Sequence, residues 1–83
     1  MPLTREEKRV VACLKEWRRA RAHKERVPAY MICHDRTLEH LARARPTTLD
    51  ALQSTHGLGE AKIARYGEDL LAALREAFGE EAP

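Results

Sequence analysis

The sequence predicts an all-α fold, and three observations carry that prediction. Aromatic residues make up 5% of the chain, and no run of β-branched residues is long enough to build a core strand. Apolar residues recur at three- and four-residue spacing along most of its length, the period of a helix face. Pro28, Pro46 and Gly57-Leu58-Gly59 cut that pattern into short blocks. With 43% apolar residues the chain can fold, and 83 residues leave room for a single domain, spanning 1–83.

The first helix is expected over about 4–22. Thr4 followed by Glu7 fits a capping box, in which the hydroxyl takes an orphan N–H and the carboxylate reaches back. Val10, Cys13, Leu14, Trp17 and Ala20 then mark its inward stripe. Pro28 pushes Val27 out of helical geometry and closes the segment. Residues 29–34, "AYMICH", are apolar but too short for an ordinary helix and read as an ordered turn. A second regular helix is expected over 36–45, capped by His34 or Asp35, with Leu38 and Leu41 inward and Pro46 after it. Thr47 or Thr48 caps a short helix over 48–55. The last helix, 60–78, carries Ile63, Tyr66, Leu70, Leu71, Leu74 and Phe78 as one stripe. Gly67 within that stripe points to a close helix contact or a slight break, and residues 79–83 are expected to fray. Four helices and one short turn, joined by short connectors, make a compact bundle.

Composition excludes several functions. No apolar run approaches the roughly 20 residues that span a bilayer, so no membrane role is expected. The two cysteines, with no signal-peptide pattern before them, predict a reducing cytoplasm and no disulfide. The four histidines and two cysteines fit no zinc spacing, so neither a metal nor a cofactor is expected. No nucleophile has a base partnered to it in sequence, and no pair of catalytic carboxylates stands out; this is not an enzyme's pattern. Net charge is only +2, but its distribution is uneven: residues 1–26 carry +5 and residues 47–83 carry −4. Arg18, Arg19, Arg21, Lys24 and Arg26 form a basic run fit for phosphates or for acidic neighbours, and a solvated helix face is the default for such a run.

The stretch Ser54–Lys62, "STHGLGEAK", has the most specific chemistry. Its glycines permit positive φ, so the chain can reverse within a few residues. They also leave the amides at the next helix start uncovered, where the helix dipole favours a phosphate, with Lys62 one turn on. The competing reading makes Gly57 a helix-ending bend, Gly59 a relief of crowding and Leu58 a core plug. Glu60, an acid at the anion site, favours the second.

The ordered set Val27-Pro28-x-Tyr30, Asp35-x-Thr37-Leu38, Arg45-Pro46-Thr47-Thr48-Leu49, Gly57-x-Gly59-Glu60-x-Lys62 and Arg65-Tyr66-Gly67 resembles the HRDC family, the helicase-and-ribonuclease-D C-terminal domain. The likeness covers roughly residues 3–79. The resemblance implies a five-helix bundle, carried as a non-catalytic accessory module of a larger polypeptide, most like a bacterial RecQ-type, ATP-dependent DNA helicase. It implies a monomer that binds single-stranded or branched DNA weakly and tunes the parent's substrate choice, in a bacterial cytoplasm at the nucleoid. It carries the nucleic-acid role onto Tyr30, with Lys62 and Arg65 beside it. Arg18, Arg19, Lys24 and Arg26 join that set as a basic surface. Tyr30 itself is either buried by its connector or exposed as a stacking platform. The chain departs from the family pattern at Arg21, Ala29, Cys33 and Thr55-His56. The alternative reading is a regulatory module that contacts other domains of the parent or another protein, with little direct DNA binding.

Overall fold

In the computed structural model, which describes residues 1–79, the elements are α1 (Arg5–Glu25), a 3-10 turn (Ala29–Met31), α2 (Asp35–Ala44), α3 (Leu49–Gln53) and α4 (Glu60–Ala77). The all-α expectation holds, with no strand among the described residues. The short turn expected near 29–34 forms as a single 3-10 turn, so four α-helices stand among the described residues where the resemblance implies a five-helix bundle. Of the tail expected to fray, Gly79 forms a turn and residues 80–83 lie outside the described residues.

The capping box forms as expected. Glu7 N–H donates to Thr4 Oγ1 at 3.1 Å, and Thr4 N–H donates to Glu7 Oε1 at 2.8 Å. α1 then runs three residues past its expected end at Ala22, because its stop signal is not Pro28 alone. Arg26 adopts the left-handed conformation at φ +57, and the Val27 and Arg26 amides turn back to Ala22 O and His23 O. That is a Schellman ending, with an arginine where glycine is usual.

The buried face of α1 differs from the expected stripe. Val10, Val11, Leu14 and Ala22 are buried, Trp17 is half-buried, and Cys13 and Ala20 are exposed. α1 packs against both α2 and α4, so its inward surface is wide and includes Arg18 and Arg21, charged positions that a purely apolar stripe leaves out.

Thr48 caps α3, accepting from Ala51 N–H at 3.1 Å. α3 is shorter than expected; Ser54 ends it, and a turn through Thr55 leads to Leu58. α4 lays Tyr66, Leu70, Leu71 and Leu74 into the core, with Ile63 and Phe78 at its margin. Gly67 marks a close contact: a Cβ there would stand 2.8 Å from Leu49 Cδ2 and 3.3 Å from Ile63 Cγ2. The core is completed by Ile32, Cys33, Leu38, Leu41, Leu52 and Leu58. No helix among the described residues is long and apolar enough to cross a membrane.

Candidate nucleic-acid interface

Tyr30 owes its position to the residues on either side. Pro28, at φ −62, precedes the 3-10 turn, and Met31 N–H closes the turn on Pro28 O at 3.0 Å. Ile32 and Cys33 follow and fill the core, each 1% exposed. Tyr30 and Met31, by contrast, face solvent and are 60% and 51% exposed. Of the two readings of Tyr30, exposure is the one found. Its ring stacks on His34, with centroids 6.3 Å apart and planes 20° from parallel. Two rings on neighbouring turns thus form a small aromatic platform.

Arg18 holds this platform to the bundle. Its Nη1 donates to Cys33 O at 3.0 Å, and its Nη2 pairs with Asp35 Oδ1 at 2.7 Å, with Lys15 at 3.9 Å from the same carboxylate. The hydrogen bond from Arg18 holds the Asp35 carboxyl below its ordinary pKa, more strongly than burial raises it. With a side chain only 13% exposed, Arg18 fixes the fold and presents little to a ligand. Cys33 is buried, and that burial pushes its thiol pKa up despite the nearby Arg18 and Lys62 charges.

Beside the platform lies a groove of about 270 Å³ lined by Glu25, Val27, Met31, Ala61, Lys62, Arg65 and Tyr66. Lys62 and Arg65 come from the first turns of α4, and Met31 adjoins Tyr30. The structure therefore brings Lys62 and Arg65 into one groove with Met31, the residue that follows Tyr30. Arg65 is already paired: its Nη2 lies 2.6 Å from Glu25 Oε1. That oxygen also accepts from Tyr66 Oη–H at 3.1 Å, while Glu25 Oε2 accepts from Arg21 Nε at 2.7 Å. Arg21 also pairs with Asp69 and lies over the Tyr66 ring, 4.9 Å from its centroid. This is how the fold accommodates a charge at Arg21, on the inward side of α1. The Arg21 hydrogen bond, aided by Tyr66 and Arg65, keeps the Glu25 carboxyl below its ordinary pKa. Burial, then Glu25, raises the Tyr66 hydroxyl pKa.

The other basic residues are scattered. Arg19 pairs with Glu16 at 3.0 Å, on the side of a second groove formed by Cys13, Glu16, Trp17, Ala73, Glu76 and Ala77. Lys24 and Arg26 are exposed at the end of α1.

The hairpin glycines separate into two roles. Gly57 sits at φ +91 against Thr37, whose Oγ1 donates to His56 O at 3.2 Å; a Cβ on Gly57 would overlap that oxygen. Gly57 lies beyond the end of α3, in the loop, so it is a close-approach glycine and not the helix-ending residue of the bend reading. Leu58 is 7% exposed and plugs the core as that reading expects. Gly59 precedes α4 at ordinary φ, with nothing within 4 Å of a Cβ placed there, so crowding does not require it. No side chain caps the α4 N-terminus, and Glu60 stands exposed in its first turn. Among the described residues, no three His, Cys, Asp or Glu side chains are grouped to hold a metal ion.

Sequence reasoning missed Glu25, Met31 and His34 as members of this surface. Glu25 was legible as the i+4 partner of Arg21 on one helix face. The exposure of Met31 and the ring pairing of His34 depend on the turn geometry and left no pattern in sequence.

A family model described as the HRDC domain matches residues 7–74. Among curated proteins, the chain is 40% identical over 62 residues to the ATP-dependent DNA helicase UvrD2 of Mycobacterium tuberculosis, covering 75% of this chain and 9% of that protein. It is 31% identical over 70 residues to the ATP-dependent DNA helicase RecQ of Haemophilus influenzae, covering 84% of this chain and 11% of that protein. The chain thus spans only a small fraction of the length of these relatives. Among solved structures it resembles the third HRDC domain of D. radiodurans RecQ, with a TM-score of 0.81 at 34% identity, covering 84% of this chain and 92% of that one.

Proposed function

This chain belongs to the HRDC domain family, and on that premise we propose that it serves a RecQ-like DNA helicase as the unit that engages single-stranded or branched DNA weakly and tunes substrate choice. An HRDC domain is a non-catalytic accessory domain. The observation that carries the proposal is the exposed Tyr30–His34 platform next to the Lys62 groove. An exposed ring offers a base a stacking surface, worth about 1–3 kcal/mol per base. Lys62 supplies a phosphate contact, and the uncapped α4 amides lie one turn before it. Arg65 adds a second cation, and Lys24 and Arg26 extend the positive field along α1. Such contacts position a strand without reading its sequence. A DNA-helicase module of this kind works in the bacterial cytoplasm, at the nucleoid.

The test is fluorescence anisotropy of a labelled single-stranded oligonucleotide across salt concentrations. Binding should weaken as salt rises, fall about fivefold or more in Tyr30→Ala and fall less in Lys62→Ala. Retained affinity in Tyr30→Ala would remove the platform from the account.

A second reading is favoured by the α1–α4 groove, where Trp17, Ala73 and Ala77 form an apolar floor under the Glu16 and Glu76 carboxylates. That surface suits a protein segment better than a phosphate backbone. Cross-linking at this groove to another domain of the parent, with no oligonucleotide binding at low salt, would favour it.

A further inference from the structure

We propose that Glu25 competes internally with DNA phosphate: it holds Arg65 in an intramolecular ion pair, and a bound strand gains that cation only by displacing Arg65 from the carboxylate. The inference rests on the nucleic-acid reading above and adds to it the residue that sets affinity. Arg65, Lys62 and Glu25 line the same groove, so the carboxylate stands where a phosphate approaching Lys62 would meet it.

The pair is asymmetric. The Arg65 side chain is 65% exposed and that of Glu25 14%. Glu25 is anchored from two other directions, by Arg21 Nε at 2.7 Å and by Tyr66 Oη at 3.1 Å. When Arg65 swings away, the carboxylate keeps both of those donors and is not left as an unpaired charge. The guanidinium, with five N–H donors and a solvent-facing side, can exchange one oxyanion for another. Glu25 therefore weakens binding by neutralising one of the groove's two cations, while its own charge stays matched by Arg21 and Tyr66. Arg21 does not take the place of Arg65, because Asp69 holds it as well.

The experiment is an anisotropy titration of labelled oligothymidylate at low salt and across a salt series. It uses the whole domain as wild type, Tyr30→Ala, Glu25→Gln, Arg65→Ala and the Glu25→Gln/Arg65→Ala double variant. Glu25→Gln should bind about threefold tighter, the gain expected on freeing one partly exposed cation. In the Arg65→Ala background the same substitution should bring no gain. A gain that survives Arg65→Ala overturns the proposal, because it then reflects overall charge. Unchanged affinity in Glu25→Gln, while wild type binds and depends on Tyr30, overturns it and leaves the nucleic-acid reading standing. No binding by any form at low salt removes that reading and this inference together. If Glu25→Gln fails to fold, the wild-type protein still decides: the Arg65 Nε–H and Tyr66 ring signals should shift in NMR on saturation, and their constancy overturns the proposal.

Discussion

Gly57 is the residue whose identity the fold fixes most tightly. At φ +91, with its α-carbon against the Thr37 hydroxyl, it meets both a backbone and a space requirement for having no side chain. Gly57→Ala should lose about 2 kcal/mol or more in urea denaturation, combining left-handed strain with a local overlap. A loss under about 0.5 kcal/mol would mean that the loop re-forms elsewhere. The sequence showed that a glycine bend stands here, because the Gly-x-Gly spacing after a short helix is distinctive. It did not show which glycine is constrained, since that depends on Thr37, twenty residues away along the chain. The same limit explains Cys13. Helical spacing placed it inward, but the contact of α1 with two other helices turns the buried face toward Val11 and Arg18.

At the scale of elements, the start of α4 is where structure and function separate most cleanly. Gly59 occupies the N-cap without a side-chain hydrogen bond, and a Cβ there meets open space. Gly59→Asp should therefore be accommodated, raise the melting temperature slightly by capping and favour the helix dipole. The same carboxylate would occupy the exposed amides, so oligonucleotide affinity should fall about threefold or more if phosphate binds there. Unchanged affinity with a raised melting temperature would assign the α4 N-terminus a purely structural part. Helix ends were legible where local chemistry sets them: Thr4 with Glu7, Thr48, and Pro46 after Ala44 all stand near their expected places. The end of α1 was not, because Arg26 takes a conformation that sequence alone assigns to glycine.

At the scale of the whole molecule, ion pairs tie the elements across the bundle: Arg18 with Asp35, Arg65 with Glu25, and Arg21 with Asp69. The Asp35 and Glu25 carboxyls have pKa values lowered on folding, so both favour the folded state when ionised. That contribution is complete above their unfolded values, near 4, and is lost as pH falls through the folded ones. Melting temperature should stay nearly level from pH 7 to about pH 5 and then drop. Added salt should lower the plateau only slightly, since most of these pairs reach solvent. The bundle as a whole was readable from periodicity and breakers, whereas the cross-bundle pairs were not, because they join residues up to 48 positions apart.

The two thiols divide the surface in a way a spectroscopist can use. Cys33 is buried beneath the aromatic platform with its ionisation suppressed, while Cys13 is exposed on the groove beside Trp17. A maleimide dye or nitroxide should attach to Cys13 alone in the folded domain. It would leave Tyr30, Lys62 and Arg65 unmodified, so one native attachment point can report whether a strand or another protein has arrived, and at which of the two grooves.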